Sequence, residues 1–483
     1  MKLKYILAAV VVLAGTPSTS ARAADAIVRP NQLHQRITGF GASSAWSADF
    51  TDAEADLLFT TDSGVGLTLL RLRIPPDGCT QDDCGAAAAV KAQARGATVW
   101  AAPWSPPDAW KSNGDVDNGG TLLPEHADDW ANALVAYVQW MQTQGVTISK
   151  LSGQNEPTTK VSYESCIYTP SALADFIGNH LGPALHAANL DTTKIVAPET
   201  QDWQTFPTFA SAILSSSAAS SAVGVLATHS YGQSAPAAYP AADQANKELW
   251  QTEVYDQAKH VDAGIASGIR VALMMHSALV EASVNAWHYW WILPVMGNAA
   301  LFDQASDAPA KRLYAMGNFS RFVRPGFYRV DTTTTGPTPG VSISAYADGP
   351  SKQIVIVVIN ENAGPVSQAI LFDGVAAGSW MSWVTSSTKS SVSSGSPVDG
   401  GSNPNELVVS LDPQSVTTFR GLVTGPGPKL PAIPDPPDAP GGGPGCACST
   451  PARRPDGMAA GVALAAILAA AWRGRRKQAG RGA

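Results

Sequence analysis

The sequence predicts a (β/α)8 barrel with an added β-sandwich, and three observations carry that expectation. Between Gly39 and Phe322, eight short β-branched or aromatic runs alternate with segments of helical periodicity, the count of a closed parallel barrel. After Val323 the pattern changes to short alternating runs separated by Gly, Pro, Asn and Ser, which is a sandwich pattern. A doubly wound sheet would want a glycine-rich phosphate loop after its first strand, and "GFGASSAW" does not open a helix in that way.

The eight barrel strands are expected at "RITGFGA" (36–42), "LTLLRLRI" (67–74), "GATVWAAPW" (96–104), "SKLSGQNEP" (149–157), "KIVAPET" (194–200), "GVLATHSY" (224–231), "ELWQTEV" (248–254) and "VNAWHYWW" (284–291). Between them, "TDAE" at 51–54 is a capping box ahead of an apolar run. In 124–145, Trp130, Leu134, Tyr137, Val138 and Met141 share one helical face, and Gly145 stops the run. Thr169-Pro170 supplies an N-cap and a first-turn proline for a helix through Leu181. The sandwich strands are expected at "GVSISAYA", "QIVIVVIN", "SWMSWVTS", "NELVVSL" and "SVTTFRGLV" within 323–423, with a strand added by the mature N-terminus, 24–38.

Both chain ends fall outside this fold. Residues 1–23 combine Lys2 and Lys4, an apolar run and Ala21-Arg22-Ala23, the pattern of a secretory signal peptide. Residues 424–445 are Pro/Gly-rich and read as an extended linker. The tail, 446–483, holds Cys446 and Cys448, an apolar run of 15 residues from Met458 to Trp472, and a basic end. The run is short for a span of about 20 residues. Its layout resembles myxobacterial-type C-terminal sorting tails, processed on the way to the cell surface; the alternative is a short anchor helix that stays in the membrane. Export to the cell surface or beyond is expected, with the tail only transiently in the membrane.

Without the signal segment and the basic end, 24–452 holds 22 basic against 38 acidic residues, a net charge of −16. So acidic a body argues against nucleic acid or a polyanionic partner and favours neutral substrates. Of the cysteines in that body, Cys79 and Cys84 are expected to pair in the exported protein, and Cys166 to be a buried free thiol. There is no CxxC and no HExxH, and the eight histidines are scattered, so no metal and no cofactor is expected.

The chemistry is carried by two carboxylates. Active sites of such barrels sit at the C-terminal ends of the strands. Glu156, in "GQNEPT", ends the fourth strand, and Glu253, in "LWQTEVY", ends the seventh. Two carboxylates at one end of a barrel are what glycoside hydrolysis needs, because one protonates the leaving oxygen while the other attacks or activates water.

Ten segments in order, among them "TGFGASSAW", "LLRLRI", "PWSPPDAWK", "GQNEPT", "ATHSYG", "LWQTEVY" and "GNFSRFVRPGFYRVD", resemble glycoside hydrolase family 30, nearest to its bacterial xylanase branch, over 24–423. The resemblance implies a barrel with a side β-sandwich and a retaining mechanism, with Glu156 as acid/base and Glu253 as nucleophile, their carboxyls about 5 to 5.5 Å apart. By analogy with related families, Asn155 is placed on the sugar 2-hydroxyl and Tyr231 against Glu253. Arg71 is placed to hold Glu253 anionic. His229 is either a sugar contact or a packing residue. Trp46, Trp104, Trp110, Trp290 and Trp291 lie at or just beyond strand ends, where indole faces can stack on sugar rings; Trp100 and Trp287 lie deeper in their strands.

The expected function is an exported, monomeric endo-β-1,4-xylanase acting on xylan. Alternatives within the class are a glucuronate-requiring xylanase, a β-1,6-glucanase or galactanase, and a glucosylceramidase. The alternative of another class is a surface carbohydrate-binding protein. Glucuronate-requiring members of the branch carry an arginine in the loop after the eighth strand, and "WWILPVMGNAALFD" holds no basic residue there. Independence of glucuronate is therefore expected, unless a lysine such as Lys111 or Lys160 substitutes.

Overall fold

The structure, a computed structural model, describes residues 24–424 apart from 80–83, 233, 296, 298, 337 and 399–402. The expected signal segment (1–23), linker and sorting tail lie outside the described residues.

The chain opens with β1 (Ala26–Arg36), which joins the side domain, and then enters a closed parallel barrel of β2 (Gly39–Ser43), β3 (Leu69–Ile74), β4 (Thr98–Pro103), β5 (Ile148–Ser152), β6 (Lys194–Thr200), β7 (Val223–His229), β8 (Glu248–Glu253) and β9 (Ala286–Trp291). All eight fall where the sequence places them. The helices between are α1 (Asp52–Phe59), α2 (Ala86–Ala94), α3 (Ala127–Thr143), α4 (Pro170–Asp175), α5 (Gly182–Ala187), α6 (Phe206–Ser215), α7 (Ser217–Ala222), α8 (Pro240–Gln244), α9 (Ile265–Val280) and α10 (Lys311–Ser320).

The local signals act as read. Thr51 caps α1 with its side chain on the Glu54 N–H, and Glu54 returns a carboxylate to the Thr51 N–H, so two orphan donors are satisfied together. Trp130, Leu134, Tyr137, Val138 and Met141 of α3 are all buried, and Gly145 takes the left-handed φ of +77° that ends the run. Thr169 caps α4 through the Ala172 N–H at 3.1 Å. Beyond Asp175 the helix widens into a π-turn, Phe176–Leu181, before α5. Gly178 and Gly182 line its close approach to α7, where an added Cβ would meet Ala219 at 2.7 Å and Ala222 at 2.9 Å.

Period-2 alternation decides which side chains fill the barrel. Leu69 and Arg71 point inward from β3, Trp100 and Ala102 from β4, Trp250 from β8 and His288 from β9, while Leu70, Leu72, Val99 and Ala101 join the layer between strands and helices. The interior is thus packed with large aromatics. Trp100 donates to His288 Nε2 at 3.0 Å, and burial holds His288 down at about 3, so it is a neutral packing residue.

The side domain comprises β10 (Tyr328–Thr334), β11 (Val341–Asp348), β12 (Gln353–Asn360), β13 (Val366–Phe372), β14 (Ala376–Thr385), β15 (Val392–Ser393), β16 (Glu406–Leu411) and β17 (Ser415–Thr424). The sequence predicts two layers; they belong to one continuous nine-stranded sheet, ordered β15-β14-β17-β12-β11-β10-β1-β13-β16. The N-terminal β1 pairs antiparallel with β10 and parallel with β13, as a strand lent to this domain. β12 is apolar at nearly every position because both its faces are buried. Ile354, Ile356 and Val358 enter the domain's own core, and Val355, Val357 and Ile359 join the barrel's. Asn318 of α10 fixes the contact, donating to Trp383 O and Thr418 Oγ1 at 3.0 Å each and accepting from Thr385 Oγ1 at 2.6 Å. Cys79 and Cys84 form a disulfide, and Cys166 is a buried free thiol. No helix among the described residues is long and apolar enough to cross a membrane.

Candidate active site

Arg71 organises the carboxyl end of the barrel. Fully buried on β3, it donates to Glu253 Oε2, to Asn155 Oδ1 at 2.6 Å and to Glu199 Oε1 at 3.0 Å. Its guanidinium lies over Trp104, Trp100 and Trp290, at 4.7, 5.3 and 5.7 Å from their ring centroids. A planar, permanently charged fork can meet three oxygens and three indole faces at once; an ammonium cannot.

Glu253, at the end of β8, also accepts the Tyr231 hydroxyl at 2.8 Å on Oε1. Burial pushes its carboxyl above the usual range; His229 and Arg71 pull it down, and a charged Glu156 pushes it up again. The net effect leaves it above the usual range; Arg71 and Tyr231 are the partners that favour its ionised form. Glu156 follows β5 in the left-handed region, with φ +44°. Its Oε1 is 3.0 Å from His229 Nδ1, and its backbone N–H donates to Glu199 O at 3.0 Å. One oxygen each of Glu156 and Glu253 and a ring nitrogen of His229 lie within 4.8 Å of one another. That is the short separation of a double-displacement site; an inverting pair stands about 6.5–9.5 Å apart. By distance alone the three could surround a cation, but Arg71 already stands against Glu253.

Asn155 is fixed by Arg71, which can only donate, so its amide oxygen faces the guanidinium and Nδ2 is the group available to a ligand. His229, open in the sequence between sugar contact and packing, is neither. Fully buried, it bridges carboxylates: Glu156 at 3.0 Å, Glu199 at 3.6 Å and Glu253 at 3.8 Å. Burial alone would lower its pKa; the three carboxylates raise it to about 9.

The indoles divide. Trp46, Trp104, Trp290 and Trp291 form one aromatic group, with Trp46 against Trp104 at 5.0 Å and against Trp290 at 6.1 Å, and Trp290 stacked on Trp291 at 5.0 Å. Only Trp46 is well exposed, and it too takes a left-handed φ of +54°. Trp110, expected as a sugar platform, stands apart from them: it stacks on His126 at 5.7 Å and packs against Trp130 of α3. Trp100 and Trp287 are fully buried. Lys111 is corrected as well. It is buried, and its ammonium is used by Val116 O at 2.9 Å and Ser165 O at 2.7 Å.

Two residues were missed. Tyr163, exposed beside Trp46 at 6.2 Å, has its hydroxyl pushed up to about 12 by burial and by the charges of Glu156 and Glu253, which places it near both. Glu199 is a third carboxylate, fully buried. Burial would raise it, but Arg71 and His229 hold it at about 2. The available signal was its position: "APET", like "NEP" and "QTE", sets a glutamate at a strand end.

An eight-stranded barrel with two closely spaced carboxylates at its carboxyl end, one clamped by arginine and tyrosine, defines a retaining glycoside hydrolase. The chain belongs to glycoside hydrolase family 30: residues 86–333 match the Glycosyl hydrolase family 30 TIM-barrel domain. It is similar to Glucuronoxylanase XynC of Bacillus subtilis (strain 168), 30% identical over 427 residues that cover 84% of this chain and 94% of that protein. Among solved structures it is similar to the family 30 subfamily 8 xylanase Xyn30A from Clostridium acetobutylicum, with a TM-score of 0.74 and 31% identity over 82% of this chain and 99% of that one. It is also similar to a GH30 endoxylanase from Clostridium papyrosolvens C71, with a TM-score of 0.70 and 31% identity over 82% of this chain and 100% of that one.

Proposed function

We propose that the chain is an exported endo-β-1,4-xylanase that works by double displacement, with Glu156 as acid/base and Glu253 as nucleophile, and that it does not require glucuronate on its substrate. The Arg71–Glu253–Tyr231 clamp is the observation that carries the roles. The likeness to xylanases over most of the chain supports the substrate class.

Glucuronate independence rests on where the cations go. The segment from Ile292 to Ala310 contains no arginine or lysine. Ile292 is fully buried in the core and lines no cleft. Lys311, next in line, donates to Lys389 O at 2.7 Å and Ser390 Oγ at 3.0 Å in the side domain. Arg73 is paired with Glu164. A missing charge-assisted contact of about 1.5–3 kcal/mol corresponds to roughly ten- to a hundredfold in preference. Linear xylooligosaccharides and arabinoxylan are therefore expected to be cut within several-fold of glucuronoxylan in a reducing-sugar panel that also holds β-1,6-glucan and galactan. The likeness to a glucuronoxylanase favours a second reading, that glucuronate is required. Products carrying one glucuronate at a fixed position, with undecorated oligomers left uncut, would establish that reading instead.

Export rests on the signal-like residues 1–23 and the sorting-like tail. Deleting 446–483 is expected to release soluble enzyme of full specific activity. Lost specific activity would show that the tail belongs to the fold.

A further inference from the structure

Glu199 is fully buried and meets Arg71, His229 and, through its backbone, Glu156. Its side-chain oxygen Oε1 is 3.0 Å from Arg71 Nη2 and 3.6 Å from His229 Nε2. Its backbone carbonyl accepts the N–H of Glu156 at 3.0 Å. Glu199 and Glu156 both stand in the left-handed region, with φ of +51° and +44°. Non-glycine residues rarely adopt that conformation, and it persists where the surroundings over-determine it.

The proton positions on His229 follow from its neighbours. Nε2 faces a carboxylate that Arg71 keeps ionised, and a ring lone pair turned on that anion would be repelled, so Nε2 carries a proton. Nδ1 faces Glu156 Oε1 at 3.0 Å. The other titratable groups around the cluster are Tyr163 from the loop after β5, Tyr231 beyond β7, Glu253 at the end of β8, Tyr255 just beyond it, and His288 from β9. Burial and the neighbouring carboxylates push the hydroxyls of Tyr163 and Tyr231 up, so both remain neutral, and His288 is neutral because it is buried. The local cations are Arg71 and His229.

We propose that Glu199 is a positioning residue for the acid–base step: its carboxylate, 3.6 Å from Nε2, makes His229 an imidazolium that presents Nδ1–H to Glu156 Oε1, which directs the transferable proton to Glu156 Oε2. The inference rests on the reading of Glu156 as acid/base. In the first step the Oε2 proton passes to the leaving oxygen as the glycosidic C–O bond breaks and a Glu253 oxygen bonds to the anomeric carbon; the new carboxylate on Glu156 is met by Nδ1–H. In the second, Glu156 takes a proton from water, whose oxygen bonds to the anomeric carbon as the Glu253 ester C–O bond breaks. His229 keeps both protons throughout. The raised proton affinity of His229 agrees with this.

The test has two parts. Ring ¹⁵N shifts of the wild-type chain, with the His229 signals assigned by their loss in His229→Asn, are expected to show both nitrogens protonated at pH 7; a neutral His229 would overturn the proposal without any Glu199 variant. In Glu199→Gln, loss of an anion lowers the proton affinity of His229, which must stay charged to present Nδ1–H to Glu156. The alkaline limb of kcat/KM is then expected to move to lower pH by about one to three units. The loss should fall on kcat rather than KM, and be about ten- to a hundredfold larger on polysaccharide than on an activated aryl glycoside, which departs with little need of a proton. Glu199→Asp, which keeps the charge, should restore much of the limb. An equal loss on both substrates at every pH, with the limb in place, would mean a structural role only. Failure of the Glu156 reading itself is distinguishable, because Glu156→Ala would then lose both substrates alike.

Discussion

Glu253→Ala is expected to abolish turnover of every substrate, by about 10⁵-fold or more, whereas Glu156→Ala keeps measurable turnover of an activated aryl xyloside that the wild type accepts. The asymmetry follows from the chemistry of the two steps. Without the nucleophile no glycosyl-enzyme forms, however good the leaving group. Without the acid, only departures that need a proton suffer, and general acid catalysis contributes about 10²–10⁴-fold on a polysaccharide. The structure separates the two by their partners: Glu253 is held by Arg71 and Tyr231, Glu156 by His229. Steady-state rates on both substrates for both variants check the ranking, and the reverse ranking would exchange the roles.

Arg71→Leu is expected to carry the largest stability cost of a single change near the site. Arg71 is fully buried, and its removal leaves Glu199 and Glu253 without their shared cation. Breaking a buried pair from one side costs about 3–5 kcal/mol, because the remaining charge is uncompensated. The pH profile should move too. Arg71 lowers the pKa of Glu253, so its loss raises it, and the nucleophile must be ionised to act; the acid limb of activity therefore shifts to higher pH. Urea unfolding and a pH–rate profile measure the two effects. A midpoint shift worth less than about 1 kcal/mol would mean that the cluster relaxes around the gap.

The barrel was legible because its signals are local. A strand of six residues buried on both sides, such as β4, reads as an apolar run, and a capping box such as Thr51–Glu54 lies within four residues of sequence. Glu156 and Glu253 were legible as carboxylates at strand ends, and Arg71 and Tyr231 were placed correctly against Glu253. What sequence could not give was convergence. Glu199 and His229 are adjacent only because β6 and β7 are neighbours in the closed barrel, and nothing in "IVAPET" distinguishes a buried glutamate from a solvated one. Trp110 and Trp46 both follow strands, yet one stacks on a histidine over α3 while the other faces solvent beside Tyr163. Lys111 sits in a loop where a free cation is the ordinary expectation, but two backbone carbonyls hold it. The side domain's layers were read from alternation, which cannot tell two sheets from one sheet that continues between them.

Covalent trapping tests the central claim most directly. A 2-deoxy-2-fluoro xylobioside with a good leaving group should inactivate the enzyme with one equivalent bound, because the fluorine slows both steps while the good leaving group restores only formation of the glycosyl-enzyme, which then accumulates. Mass spectrometry of the digested protein is expected to find the sugar as an ester on Glu253. A label on Glu156, or turnover with inverted anomeric configuration and no label, would contradict the mechanism.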